Sequence, residues 1–128
     1  MSLLTPTGMA LVKVMGEMPR GPKREGVFAL WLLLRVTEDL LLLPPPPERG
    51  SRRRVAALEQ RLSSLSLPAP LRRALVSALA ELKEPRRDRV GQVLLLLVAP
   101  SREALGAEAS EILARAARSA AQRIKDGE

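Results

Sequence analysis

The chain contains no cysteine, no histidine and no tyrosine. Without cysteine there are no disulfides, no thiolate nucleophile and no thiolate metal site. Without histidine the commonest general base and the commonest transition-metal ligand are missing too. Any chemistry would fall to carboxylates, Lys, Arg and hydroxyls. Asparagine is also absent, and glutamine occurs only at 60, 92 and 122. Such depletion of thermolabile residues is a trait of thermophile proteins. The heavy use of Arg, Ala, Leu and Pro fits a GC-rich genome equally well.

Phe28 and Trp31 are the only aromatic residues, so the core must be built from aliphatic side chains. The eight glycines are scattered, and none forms a dinucleotide or P-loop fingerprint. No serine sits in a G-x-S-x-G turn, and calcium-loop and zinc spacings are absent. These absences predict a protein that is not an enzyme, with no catalytic residues, no cofactor and no metal. Met1 to Met18 is interrupted by Pro6, Gly8, Lys13, Gly16 and Glu17. It lacks the basic start and compact apolar stretch of a secretory signal, which predicts a cytoplasmic location.

What the chain does have is length for one ordinary domain, at 128 residues, and a net charge of +7 with 17 Arg against 4 Lys. A domain of this size buries about two-thirds of its unfolded surface and needs no metal or disulfide to fold. The charge favours acidic partners, unless it is only a solvated surface set by codon usage.

Prolines divide the chain into segments, because proline suits the first turn of a helix and not its interior. A first helix is predicted over about 6–18, where Met9, Val12, Met15 and Met18 lie three apart; residues 1–21 form a loosely packed N-terminal segment in this reading. A second spans about 23–42. It is apolar on most sides, as the centre of a bundle would be, and Arg35, Glu38 and Asp39 fall on one face as a local ion-pair cluster. It is long enough to reach ~30 Å, but Arg35 and Asp39 near mid-membrane would each cost roughly 3 kcal/mol against about 0.3–0.6 returned per aliphatic residue. Membrane insertion is therefore not expected. Pro44 to Pro47 read as a stiff connector rather than as a ligand for proline-binding modules.

Helices three and four, about 51–65 and 70–83, carry clean seams: Val55, Leu58, Leu62 and Leu65 in one, Leu71, Leu75, Ala78, Leu79 and Leu82 in the other. A fifth helix is predicted over about 85–98 on the stripe Val90, Val93, Leu94, Leu97 and Val98. Residues 92–99 also read as a buried strand, so an α+β domain is the alternative fold. The sixth runs over about 102–125 with Ser101 as cap. Glu103, Glu108 and Glu111 precede Arg115, Arg118, Arg123 and Lys125, the order the helix dipole prefers, and Ala109, Ala116, Ala117 and Ala120 permit a close neighbour. The expected architecture is all-α: a single domain over 1–128, folded as a bundle of five or six helices.

The basic clusters are the most informative feature. Arg52, Arg53 and Arg54 open the third predicted helix, and Arg86, Arg87 and Arg89 open the fifth. Cations at a helix N-terminus oppose its dipole by ~0.3–1 kcal/mol each, whereas an anion bound there would bring free N–H groups and Arg to work together. If consecutive helices run antiparallel, one end of the bundle gathers ten cations, these six with Arg49, Lys83, Arg123 and Lys125, against five acids. That pole would hold about +5 of the chain's charge, the footprint of a nucleic-acid binder. It has no aromatic stacking residues and no DNA-reading motif.

Two functions follow. The first is a non-enzymatic structural or interaction module whose Leu/Ala seams form a homo-oligomer, with a dimer favoured, or dock a protein partner. The second is a binder of nucleic acid or another polyanion, without sequence specificity, acting through the six arginines.

Overall fold

In the computed structural model of the chain, proline opens helices. Pro6 and Pro22 are the first residues of α1 (Pro6–Glu17) and α2 (Pro22–Leu42). There a missing N–H leaves no helical bond unmade. Among the described residues five further helices follow: α3 (Glu48–Ser63), α4 (Ala69–Lys83), α5 (Val90–Leu96), α6 (Val98–Leu105) and α7 (Ala107–Asp126). The backbone is described for residues 6–42, 48–83 and 90–126, and the side chains for residues 9–37, 53–82 and 92–122. Among the described residues there is no strand. Residues 92–99 are helical on both sides of Leu97, which removes the α+β alternative. Only Leu97 separates α5 from α6, so the two form one interrupted arm, and counted so the described residues make a bundle of six helices.

Two boundaries differ from the sequence expectation, each for a local reason. A helix continuous from Val90 would need the Pro100 nitrogen to donate to the Leu96 carbonyl, and the proline ring would collide with that carbonyl. The chain instead closes α5 with a tight bond from Leu97 N to Leu94 O at 3.1 Å and starts α6 at Val98, with Ser101 N donating to Leu97 O at 3.0 Å. Ser101 is thus a buried residue inside α6 and not a cap. The long final helix is likewise divided. Gly106 adopts φ +98°, donates its N–H to Arg102 O, and separates α6 from α7. A positive φ there favours glycine, the usual residue just past a helix end.

The core is aliphatic, as two aromatics require. α4 buries Leu71, Leu75, Ala78, Leu79 and Leu82, the expected seam. α3 buries Val55, Leu58 and Leu62, with Leu65 half-buried after its end. α2 packs against α1, α3, α6 and α7 and buries Val27, Ala29, Leu30, Leu33 and Leu34. On α1 the inward face differs from the expected one. Leu11 and Val14 are buried, Met15 and Met18 are half-buried against the core, and Met9 and Val12 face outward. α7 buries Ala109, Ile112, Leu113, Ala116, Ala117 and Ala120. The close neighbours its alanines permit are therefore α1, α2, α5 and α6 of the same chain.

Side chains lock the α3–α4 connection. Arg72 donates to the Leu65 carbonyl at 2.7 Å, and Ser66 N donates to Glu25 Oε2 at 3.1 Å, which ties the turn to α2. Pro44 to Pro47 lie outside the described residues, as do the side chains of Glu38 and Asp39.

Candidate functional site

The break at Leu97 lies within the most exposed apolar surface among the described residues. Val93, Leu94, Leu97 and Ser101 point inward and are buried. That inward stripe sends Leu95, Leu96, Ala99, Arg102 and Glu103 to the outer face, where all five are exposed. Leu95 keeps 52% of its surface in water and Leu96 68%. Residues spaced i, i+1, i+4, i+7 and i+8 share one face of a helix, and an apolar stripe on this spacing normally faces a core. Here its first three members are apolar, its last two are a cation and an anion, and water covers all of it.

Beside the stripe runs a groove of about 560 Å³, lined by Leu95, Val98, Ala99, Arg102, Glu103 and Ala114. Ala114 is the one lining residue from α7. Among the described residues the other exposed large apolar side chains are Met9 and Val12 on α1 and Val76 on α4. Single exposed apolar residues are ordinary on protein surfaces. Two adjacent leucines continued by Ala99 and bordered by a groove make a patch. The periodicity of Val93 to Val98 does not reveal it, because a continuous apolar run has no polar flank to say which side is out.

The six arginines expected to form a pole are placed in part. α3 begins at Glu48, three residues earlier than the sequence pattern suggests, so Arg52, Arg53 and Arg54 occupy its second turn. The dipole penalty expected for them is small there, since the effect falls off within the first turn. Arg53 and Arg54 are exposed. The side chain of Arg52, and Arg86, Arg87 and Arg89 altogether, lie outside the described residues, as do the side chains of Arg49, Lys83, Arg123 and Lys125. Among the described side chains of α3 and α4, Arg53, Arg54, Arg61, Arg72 and Arg73 outnumber Glu59 and Glu81.

Among the described residues, no group of three or more His, Cys, Asp or Glu could hold a metal ion. No described helix is long and apolar enough to cross a membrane. Compared with models of protein families, with curated proteins and with solved structures, the chain matches none.

Proposed function

We propose that this chain is a non-enzymatic interaction module that works by self-association through the outer face of the α5–α6 arm. The observation that carries the reading is the run of exposed apolar residues, Leu95, Leu96 and Ala99, beside an open groove. Removing such a patch from water is favourable at about 25 cal/mol per Å² of apolar area. Sedimentation velocity over a concentration series tests it. The expected result is a mass that rises above the 14.0 kDa of the single chain toward twice that value. A clean monomer at tens of micromolar overturns it.

A second reading is polyanion binding. It is supported by the net charge of +7 and by the excess of arginine over glutamate on α3 and α4. Phosphate contacts would then supply the affinity, and raising salt would remove it. Absorbance at 260 nm in the purified protein, lost on a high-salt wash, is the expected sign. Protein free of nucleic acid at low salt, with no affinity for added DNA or RNA, excludes this reading.

A further inference from the structure

We infer that the outer stripe of the arm pairs with the same stripe of a second copy, about a two-fold axis running along the arm. The inference rests on the self-association reading and names its surface, its partner and its geometry. Leu95 and Arg102 lie seven residues apart on one flank of the stripe, and Leu96 and Glu103 lie seven apart on the other. Ala99 sits between the flanks, three or four residues from each of the four.

A two-fold axis along the arm sets the Leu95/Arg102 flank of one copy against the Leu96/Glu103 flank of the other. Leucine then meets leucine, and each Arg102 meets the Glu103 of its partner, giving two cross-pairs per dimer. Ala99 faces its own copy at the axis, where a small side chain lets the helices approach closely. Charged pairs that flank an apolar seam select partner and orientation in paired helices generally. A two-fold axis perpendicular to the arm instead lays Leu95 and Leu96 on Arg102 and Glu103, covering charges with nothing to pair them. The parallel arrangement is the one that satisfies both halves of the stripe. The groove that Ala114 helps line gives Leu95 and Arg102 room to reposition as the copies close.

A five-residue stripe lies at the small end of specific interfaces, below about 1,200 Å² of total buried area. The dimer should therefore dissociate on dilution. Sedimentation equilibrium of the parent and of three variants tests the geometry. Arg102→Glu and Glu103→Arg each bring like charges together across the axis, and each should weaken the dimer by about tenfold. An equimolar mixture of these two variants should recover the parental affinity as a heterodimer, because the two chains then carry opposite charges at both positions. Both residues are exposed, so circular dichroism should show parental helicity in each variant.

A parent that stays monomeric overturns the pairing and the self-association reading together. A parent that dimerises, while the charge variants associate as tightly as it does or their mixture stays as weak as its components, overturns the pairing alone. Should a charge variant lose helicity, Leu96→Asp at the most exposed of the described leucines takes over the test. Loss of the dimer in that variant supports the pairing, and parental self-association in it overturns the pairing.

Discussion

The guanidinium carbon of Arg35 lies 5.0 Å from the centroid of the Trp31 ring, one turn back along α2. Trp31 in turn stacks on Phe28 at 5.9 Å and 18°, and Arg61 of α3 covers the Phe28 ring at 5.5 Å. The only two aromatic residues are thus the middle of a four-member ladder that joins α2 to α3. The sequence pattern gives Arg35 an ion-pair cluster with Glu38 and Asp39, whose side chains lie outside the described residues; among the described side chains it covers the indole face. Delocalised guanidinium groups favour such faces, being weakly hydrated and planar.

Arg35→Ala should therefore lower stability by about 0.5–1 kcal/mol, the usual worth of a cation–π contact near the surface. It should also shift Trp31 emission to the red, since removing the guanidinium admits water to the ring. Trp31 is the single tryptophan, so urea unfolding followed by fluorescence reads both effects at one site. Unchanged emission and an unchanged midpoint would show that the ladder contributes nothing.

Ser101 offers a prediction of opposite sign. It is fully buried in α6, and its hydroxyl has no hydrogen-bond partner among the described residues. A buried polar group left unpaired costs about 1–3 kcal/mol. Ser101→Ala removes the hydroxyl and little volume, so thermal unfolding should show a protein at least as stable as the parent, and by up to ~1 kcal/mol more stable. A clear loss of stability would mean that the hydroxyl is satisfied, for instance by a buried water.

Two glycines should respond to alanine in opposite ways. Gly16, in the last turn of α1, has open space around an added Cβ, so Gly16→Ala should gain about 0.5–1 kcal/mol from helix propensity. An added Cβ at Gly26 would meet Leu105 Cδ2 at 2.7 Å and Leu71 Cδ2 at 2.9 Å. Those methyls are flexible ends, but Leu71 is fully buried and Leu105 half-buried, so they can yield only by disturbing their own packing. Overpacking of this kind typically costs 1–3 kcal/mol, which exceeds the propensity gain, and Gly26→Ala should be the less stable variant. Chemical denaturation of the pair checks the order. The reverse order would show that α2 can move away from α4 and α6 at little cost.

Periodicity made α3 and α4 legible in the sequence because each has polar residues on both sides of its seam. It misled on α1 for a geometric reason. Residues spaced strictly by three drift about 60° per step around a helix, so Met9, Val12, Met15 and Met18 spread over half the cylinder. Leu11, Val14, Met15 and Met18 alternate steps of three, one and three and stay on one face. The break at Leu97 was signalled by Pro100 but displaced by one turn, since a proline forbids the bond to the residue four positions earlier. Gly106 carried the signal for the second break, and the alanine-rich periodicity on either side of it concealed that signal. The outer stripe of the arm had no signal at all. Which face of Val93 to Val98 is buried depends on α7 packing beneath it, a tertiary fact that local pattern does not contain.

The arginine clusters provide the last test. Arg53 is exposed in the second turn of α3, beyond the reach of the helix-end dipole, so Arg53→Glu should leave helicity unchanged. Combined with Arg87→Glu it lowers the net charge by four, from +7 to +3. If the clusters of α3 and of residues 86–89 act as one patch, they lie within ~20 Å of each other, about two Debye lengths at physiological salt. The double reversal should then weaken binding to a nucleic acid such as poly(dT) by far more than either single change, as raised salt does to the parent. Fluorescence anisotropy with a labelled oligonucleotide measures all four proteins. Single and double variants that bind as the parent does, or a parent that shows no binding even at low salt, would leave these arginines as solvated surface. The same four proteins in the sedimentation assay should dimerise alike, because neither Arg53 nor Arg87 belongs to the stripe on the arm. Polyanion binding and self-association are therefore separable in one set of samples.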